Sequence, residues 1–297
     1  MYLVLSYAYD MRPFEFLRLL ALGSLATLFL ALLSFLPWNA QNRPSQEAAV
    51  LVASPFIYTF NAPGVLNEAP SMEQSTSPYW WLNSGGQFHI SNGVGATMQG
   101  DAGLFNHWRL QYAKTNPVDT DDGAYPQNLF RLVSRSTWEN MRVEAQFKIL
   151  KDNWSASPNR NASNGLLLMS RYMDGDTVYY AGLRVDGNAV IKKKYRGTYY
   201  TLALKKEFAG TYVEGGRTSM LPHQTWVGLR SETITNADES VTIRLFMQRQ
   251  DGTWKKLLEV RDSGGYGGTP PISGSGYMGI RTDFMDVQFD SIRIENI

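Results

Sequence analysis

The sequence predicts an all-β protein: a two-sheet antiparallel jelly-roll sandwich preceded by an N-terminal hydrophobic segment. Three observations lead there. Short runs alternate apolar and polar residues, with Gly, Pro, Asn and Asp clusters between them. No long apolar pattern of period 3.6 follows residue 47. The composition, 13% aromatic with 8 Trp, 16 Tyr and 26 Gly, suits strands joined by tight turns.

The elements follow in chain order. Residues 19–38, "LLALGSLATLFLALLSFLPW", form an uncharged apolar run long enough to span a bilayer. Arg12 and Arg18 precede it, so the rest of the chain is expected on the exported side. A long signal peptide cut after Ala40 and an uncleaved anchor both fit, and the signal is preferred. Residues 39–47 are a polar linker, which leaves 1–47 as signal or anchor plus linker and 48–297 as the folded domain. The expected location is secreted, periplasmic or cell-surface, with any membrane attachment made by this segment alone.

"FIYTF" (56–60) reads as the first strand and 62–78 as a loop. "WWLNSGGQFHISNGVGATMQG" (80–100) holds two or three strands broken by Gly, and "WRLQYA" (108–113) reads as another. Residues 116–128 are a loop, 128–150 two strands, 151–165 a polar loop, and "GLLLMSRY" (165–172) a strand. A three-strand meander occupies 179–202. After a loop at 207–224 come strands at 225–234, 239–250 and 254–260. A Gly/Pro-rich loop (262–276) leads to the closing pair "YMGIRTDF" and "MDVQFDSIRIENI".

This strand order, and the ending "YMGIRTDFMDVQFDSIRIENI", resemble the concanavalin A-like lectin/glucanase superfamily over residues 48–297. The resemblance implies a last strand that returns to pair near the first. It also implies a carbohydrate partner, since the superfamily hosts glycoside hydrolases, polysaccharide lyases, lectins and carbohydrate-binding modules. Fold alone does not choose among them.

Strands alternate faces, so parity sorts their residues. Val143, Ala145, Phe147 and Ile149 share one face, and Arg142, Glu144, Gln146 and Lys148 the other. Val241, Ile243 and Leu245 oppose Arg244 and Phe246, while Val227 and Leu229 oppose Arg230 and Glu232. In the meander, pairing Leu183 with Ala189 and Ala181 with Ile191 matches apolar to apolar around a turn at Gly187. The other face then carries Tyr180, Gly182 and Arg184 opposite Lys192 and Lys194, with Gly182 leaving room there. An Arg196–Gly197 turn sets Tyr199 beside Lys194 and Leu202 beside Ile191.

The net charge of +1 argues against a nucleic-acid partner, so a charged ligand must meet a local patch. The absence of Cys excludes disulfides and thiol chemistry. The stretch 184–196 supplies that patch, with five cations against one Asp. If strands carrying Arg142, Arg230 and Arg244 adjoin it, the face becomes a groove for sugar rings bearing carboxylate or sulfate, because rings stack on aromatics and Arg grips carboxylates. The competing reading is a solvated outer surface whose Lys residues keep the sheet soluble.

Three functions are weighed. β-Elimination on a uronate needs a cation to neutralise the carboxylate and a base for the α-proton. Tyr180, Arg184, Lys192 and Arg142 are the expected catalytic residues, with Lys194, Tyr199, Gln146, Glu144, Arg230 and Arg244 as substrate contacts. The strand motifs of the best-known jelly-roll alginate lyases are echoed only by "RVE" (142–144) and "YYAG" (179–182). A non-catalytic carbohydrate-binding or adhesion module is the alternative. A glycoside hydrolase is third: "ENMRVE" (139–144) departs from the superfamily's E-x-D-x-x-E at Met141, leaving Glu144 and Glu232 as the candidate acid pair. No cofactor is expected. The turn "DTDDG" (119–123) offers carboxylates of the kind a structural Ca²⁺ takes, whereas His89, His107 and His223 are too scattered to suggest a metal centre. Asn153 and Asn161 stand in N-x-S sequons.

Overall fold

The computed structural model describes residues 53–217 and 219–297, all within the compact unit Ser45–Ile297. The apolar run 19–38, the cleavage position at Ala40 and the linker 39–47 lie outside the described residues.

Two antiparallel sheets pack face to face. Sheet I runs β14 (Trp254–Asp262), β13 (Val241–Gln248), β12 (Val227–Thr235), β7 (Met141–Asp152), β16 (Met285–Asn296), β5 (Val94–Thr97), β4 (Gln87–Ser91) and β2 (Gly64–Asn67), with β1 (Phe56–Tyr58) against β16. Sheet II runs β11 (Thr198–Lys206), β10 (Asn188–Tyr195), β9 (Thr177–Arg184), β8 (Gly165–Asp174), β15 (Gly276–Thr282), β6 (Arg131–Trp138) and β3 (Trp80–Ser84). The sandwich expected from the sequence is therefore observed, and the last strand does return to the first: Phe56 pairs with Ile294 and Tyr58 with Ile292.

Parity places the core where alternation requires it. Val143, Ala145, Phe147, Leu229, Ile243 and Leu245 of sheet I meet Leu166, Leu168, Ala181, Leu183 and Ile191 of sheet II, all buried. The meander pairs Ala189 with Leu183, Ile191 with Ala181, Lys192 with Tyr180 and Lys194 with Tyr199. Leu202 departs from expectation. A bulge between Ile191 and Lys192 sets Ala203, not Leu202, opposite Ile191, and Leu202 still turns into the core. Gly182 also differs. A Cβ there would lie 2.0 Å from the Leu166 carbonyl oxygen, so the glycine permits close approach of β8 and β9 rather than opening space outside.

Two local expectations are corrected. Residues 108–113 are helical, within α1 (His107–Thr115). Asn106 caps that helix, its side chain accepting from the Trp108 and Arg109 amides. Such a cap decides between helix and strand where a six-residue window is too short to show a period. Pro117 then opens the one-turn α2 (Pro117–Thr120). The expected loop 62–78 contains β2, a short edge strand whose Leu66 alone of its residues is buried. Among the described residues no helix is long and apolar enough to cross a membrane.

Candidate functional site

The polar residues singled out in the sequence divide between the two outer faces of the sandwich. Arg142, Glu144 and Gln146 on β7, Arg230 on β12 and Arg244 on β13 belong to sheet I, and the meander belongs to sheet II. The single groove joining them is thus excluded: both sets point outward from opposite sheets, with the core between.

On sheet I the charges compensate one another. Arg142 bridges Glu232 at 2.7 Å and Glu295 at 2.6 Å, Arg230 meets Glu144 at 2.7 Å, and Arg244 reaches Glu232 and Glu259, each at 3.3 Å. Gln146 donates to Gln248 at 2.7 Å, and the Arg230 guanidinium lies 4.2 Å from the Trp254 ring centroid. Glu144 and Glu232, the candidate hydrolytic pair, are each occupied by arginine. This face is largely self-neutralised, the exception being Lys148, whose Nζ lies 5.9 Å from the Trp226 ring centroid.

Sheet II is different. Its outer face forms a groove whose rows follow from the register. Across one row lie Thr201, Lys192, Tyr180, Met169, Gly279, Val133 and Trp81, and Arg281 stands opposite Arg131 in the next. Leu167, Met169, Val133, Val178, Val190 and Tyr180 form a second apolar cluster beneath the groove floor. One end is a cavity of about 440 Å³ lined by Arg184, Lys192, Tyr199, Arg281, Asp283 and Asn-rich loop residues 159–164. The other end is a cavity of about 470 Å³ lined by Trp81, Arg131, Tyr172 and Tyr277, with Glu73 and Asp174 at its side.

Aromatic rings and cations interleave along this face. Lys192 Nζ lies 5.5 Å from the Tyr180 centroid and 5.4 Å from that of Tyr199. Lys194 lies 5.2 Å from Tyr199, and Arg131 6.0 Å from Tyr172. Arg281 donates to the Tyr199 hydroxyl at 3.1 Å and to the Tyr180 hydroxyl at 3.4 Å. Several cations have carboxylate partners: Arg184 with Asp186, Lys194 with Asp176, and Arg281 with Asp283. Lys192 donates only to the Ser163 carbonyl, and Arg131 only to the Asn83 side chain and its aromatic neighbour, so neither has an ion pair among the described residues. Desolvation pushes the Lys192 amine down to about 8, with Arg281 and Arg184 adding to the effect and Asp283 opposing it.

Tyr180 is fully buried under Lys192, Tyr199 and Arg281. Desolvation raises its phenol above the ordinary tyrosine range despite Arg281. It supports the groove from below, whereas Tyr199, 47% exposed, presents its ring to solvent. The sequence reading placed Tyr180, Arg184, Lys192, Lys194 and Tyr199 on one face, and the structure brings these five together. It missed Arg281, Asp283, Arg131, Tyr172, Trp81 and Tyr277. Parity within "YMGIRTDF" separates Tyr277 and Arg281 from Met278 and Ile280, but nothing local says that this strand lies between β8 and β6.

The 119–123 turn spends its carboxylates on loop 153–164. Asp119 accepts from Ser157 and Asn159, at 2.5 and 3.0 Å, and Asp121 from Ser155 at 2.7 Å. These bonds hold the Asn-rich loop against the groove. Among the described residues no three His, Cys, Asp or Glu cluster as metal ligands would.

No protein-family model and no curated protein sequence matches the chain. Among solved structures, carbohydrate-binding module CBM66 from Bacillus subtilis superposes with a TM-score of 0.45 at 12% identity, covering 73% of this chain and 95% of that one. A Bacillus subtilis protein described as having a galectin-like fold gives 0.44 at 12%, covering 80% and 96%. The GH43 protein BlXynB from Bacillus licheniformis gives 0.43 at 11%, covering 84% of this chain but 40% of that one. At these identities the likeness concerns the sandwich architecture alone.

Proposed function

We propose that the outer face of sheet II binds an anionic polysaccharide, with the chain of sugars running from Tyr199 to Trp81. One observation carries this reading: in a protein of net charge +1, Lys192 and Arg131 stand without ion pairs on a face lined by the partly exposed rings of Tyr199, Tyr277 and Trp81. Pyranose rings stack on such aromatics, and carboxylates or sulfates meet the unpaired cations. Binding alone accounts for these features and is the preferred reading.

Cleavage by β-elimination is the second reading, and the lowered Lys192 amine favours it. A base partly neutral near physiological pH removes the proton α to a uronate carboxylate. Arg281 neutralises that carboxylate, the 4-linked oxygen departs with its bonding pair and takes up a proton from solvent, and a C4–C5 double bond forms. Tyr180 has no part in that step, being covered and held protonated. Lys192 takes the base role, and Arg142, on the opposite sheet, takes none.

The test is affinity electrophoresis and calorimetry against polygalacturonate, alginate, hyaluronan and a neutral glucan, with ultraviolet absorbance followed for unsaturated product. Arg131→Ala should weaken binding of the preferred anionic polymer by about 10- to 150-fold, the effect of losing one charge-assisted contact. Arg142→Ala should leave it unchanged. New absorbance that disappears in Lys192→Ala assigns the lyase. Equal affinity for neutral and anionic polymers, or indifference to Arg131→Ala, refutes the groove.

A further inference from the structure

A second cavity, of about 740 Å³, lies where β2 and β4 meet α1, and it shares only Pro70 with the Trp81 end of the sheet II groove. Its chemistry is opposite in character. No Lys or Arg lines it, and His107 is its one basic side chain. Four amide side chains, Asn67, Gln87, Asn106 and Gln111, surround the Glu68 carboxyl and the Trp108 indole.

These groups are held in place before any ligand arrives. Glu68 accepts from the Tyr112 hydroxyl at 2.6 Å and from the Gly86 amide at 2.8 Å, which ties β2, the β3–β4 turn and α1 together. Gln87 donates to Asn67 at 2.9 Å across the β2–β4 pair. Trp108 packs on the turn at Gly86, where a Cβ would come within 3.1 Å of its side chain and φ is +77°. Only glycine leaves that seat open at such a φ. Phe105, next in the chain to Asn106, is 94% exposed, an aromatic ring that no other part of the fold covers.

Amides both donate and accept hydrogen bonds, as hydroxyls do. A pocket of amides and one carboxyl around an indole therefore matches a neutral, hydroxyl-rich ring: the hydroxyls exchange bonds with the amides, and the ring's C–H face stacks on Trp108. With no Lys or Arg to offset it, the carboxyl disfavours an anionic ligand. We propose that this pocket is a second carbohydrate site, specific for neutral oligosaccharides and independent of the cationic groove.

Titration of the full domain with cello-, manno- and xylohexaose, read by tryptophan fluorescence and calorimetry, tests this. At least one hexasaccharide should bind. Trp108→Ala and Gln111→Ala should each weaken it tenfold or more, while Arg281→Ala leaves it unchanged. Gln111 is exposed, so its variant keeps the fold, and thermal melting verifies this. Binding of anionic polymer should in turn be unaffected by Gln111→Ala, which separates the two sites. The proposal is overturned if none of the three sugars binds at millimolar concentration. It is equally overturned if their binding survives both pocket variants, or is lost with Arg281→Ala.

Discussion

Lys192 sits under two opposing demands: the surrounding fold desolvates its amine, and an anionic ligand would require its charge. With the free amine near 8, the protonated form dominates at neutral pH and is lost above it. A polyanion binds the protonated form better. Affinity should therefore be nearly flat below pH 7 and fall as pH rises through 8 to 9, by at most about tenfold per unit for one linked proton. Lys192→Arg should remove this dependence, because arginine stays charged over the range. Calorimetry from pH 6 to pH 9.5 on both proteins measures it. If Lys192 instead acts as a base, turnover should rise over the same interval while affinity falls.

At the scale of elements, β9 separates two kinds of residue along one strand. Leu183 is fully buried in the core, so Leu183→Ala should cost about 2–5 kcal/mol in denaturant unfolding. Arg184, at the groove end of the same strand, should cost far less. Gly182 belongs with Leu183 despite its outward parity. Its missing Cβ is what lets the β8 backbone approach, and Gly182→Ala should destabilise by about 1–3 kcal/mol through overpacking. The loop at 207–226 depends on charge instead. His223 faces the Leu221 carbonyl through Nδ1 and the Asp152 carboxylate through Nε2, both at 3.0 Å. Only the imidazolium donates to both, and its pKa is raised, chiefly by the Asp152 hydrogen bond. The clasp is therefore complete below the unfolded value near 6.5 and is lost as pH rises through the higher folded value. Protection of this loop against hydrogen exchange, corrected for the intrinsic pH dependence of the amides, should fall across that window, and His223→Gln should abolish the change.

For the whole molecule, the notable bond between sheets is polar. Lys193 on β10 meets Asp262 on β14 at 2.7 Å, both side chains fully buried. Tyr179 donates to the same carboxylate at 2.6 Å, and the Thr269 and Pro270 carbonyls accept from the ammonium, each at 3.2 Å. Lys193→Met should destabilise the fold by about 3–5 kcal/mol, because it strands Asp262 in the core. Lys193→Met with Asp262→Leu should recover most of that loss. Thermal melts of the two proteins compare the single and double changes, and equal melting would show that the stranded charge is not what costs stability. The Gly/Pro-rich loop 262–276 is pinned by the same cluster, since the Ile272 amide donates to the Tyr179 hydroxyl at 2.9 Å.

Much of this was legible in the chain. Alternation sorted the core from the outer faces, and matching Leu183 with Ala189 and Ala181 with Ile191 set the meander register, since a slip of one residue would reverse the two faces. That placed Tyr180, Arg184, Lys192, Lys194 and Tyr199 together from the residues alone. Alternation is local, with a period of two. It says which way a side chain points and not which strand lies beside it. Only the assembled sandwich put Arg142, Arg230 and Arg244 on the far sheet among their own glutamates. Only it brought Arg281 to Tyr180 across 101 residues. Sheet membership is decided when two apolar faces close on each other, and that closure is a property of the whole chain.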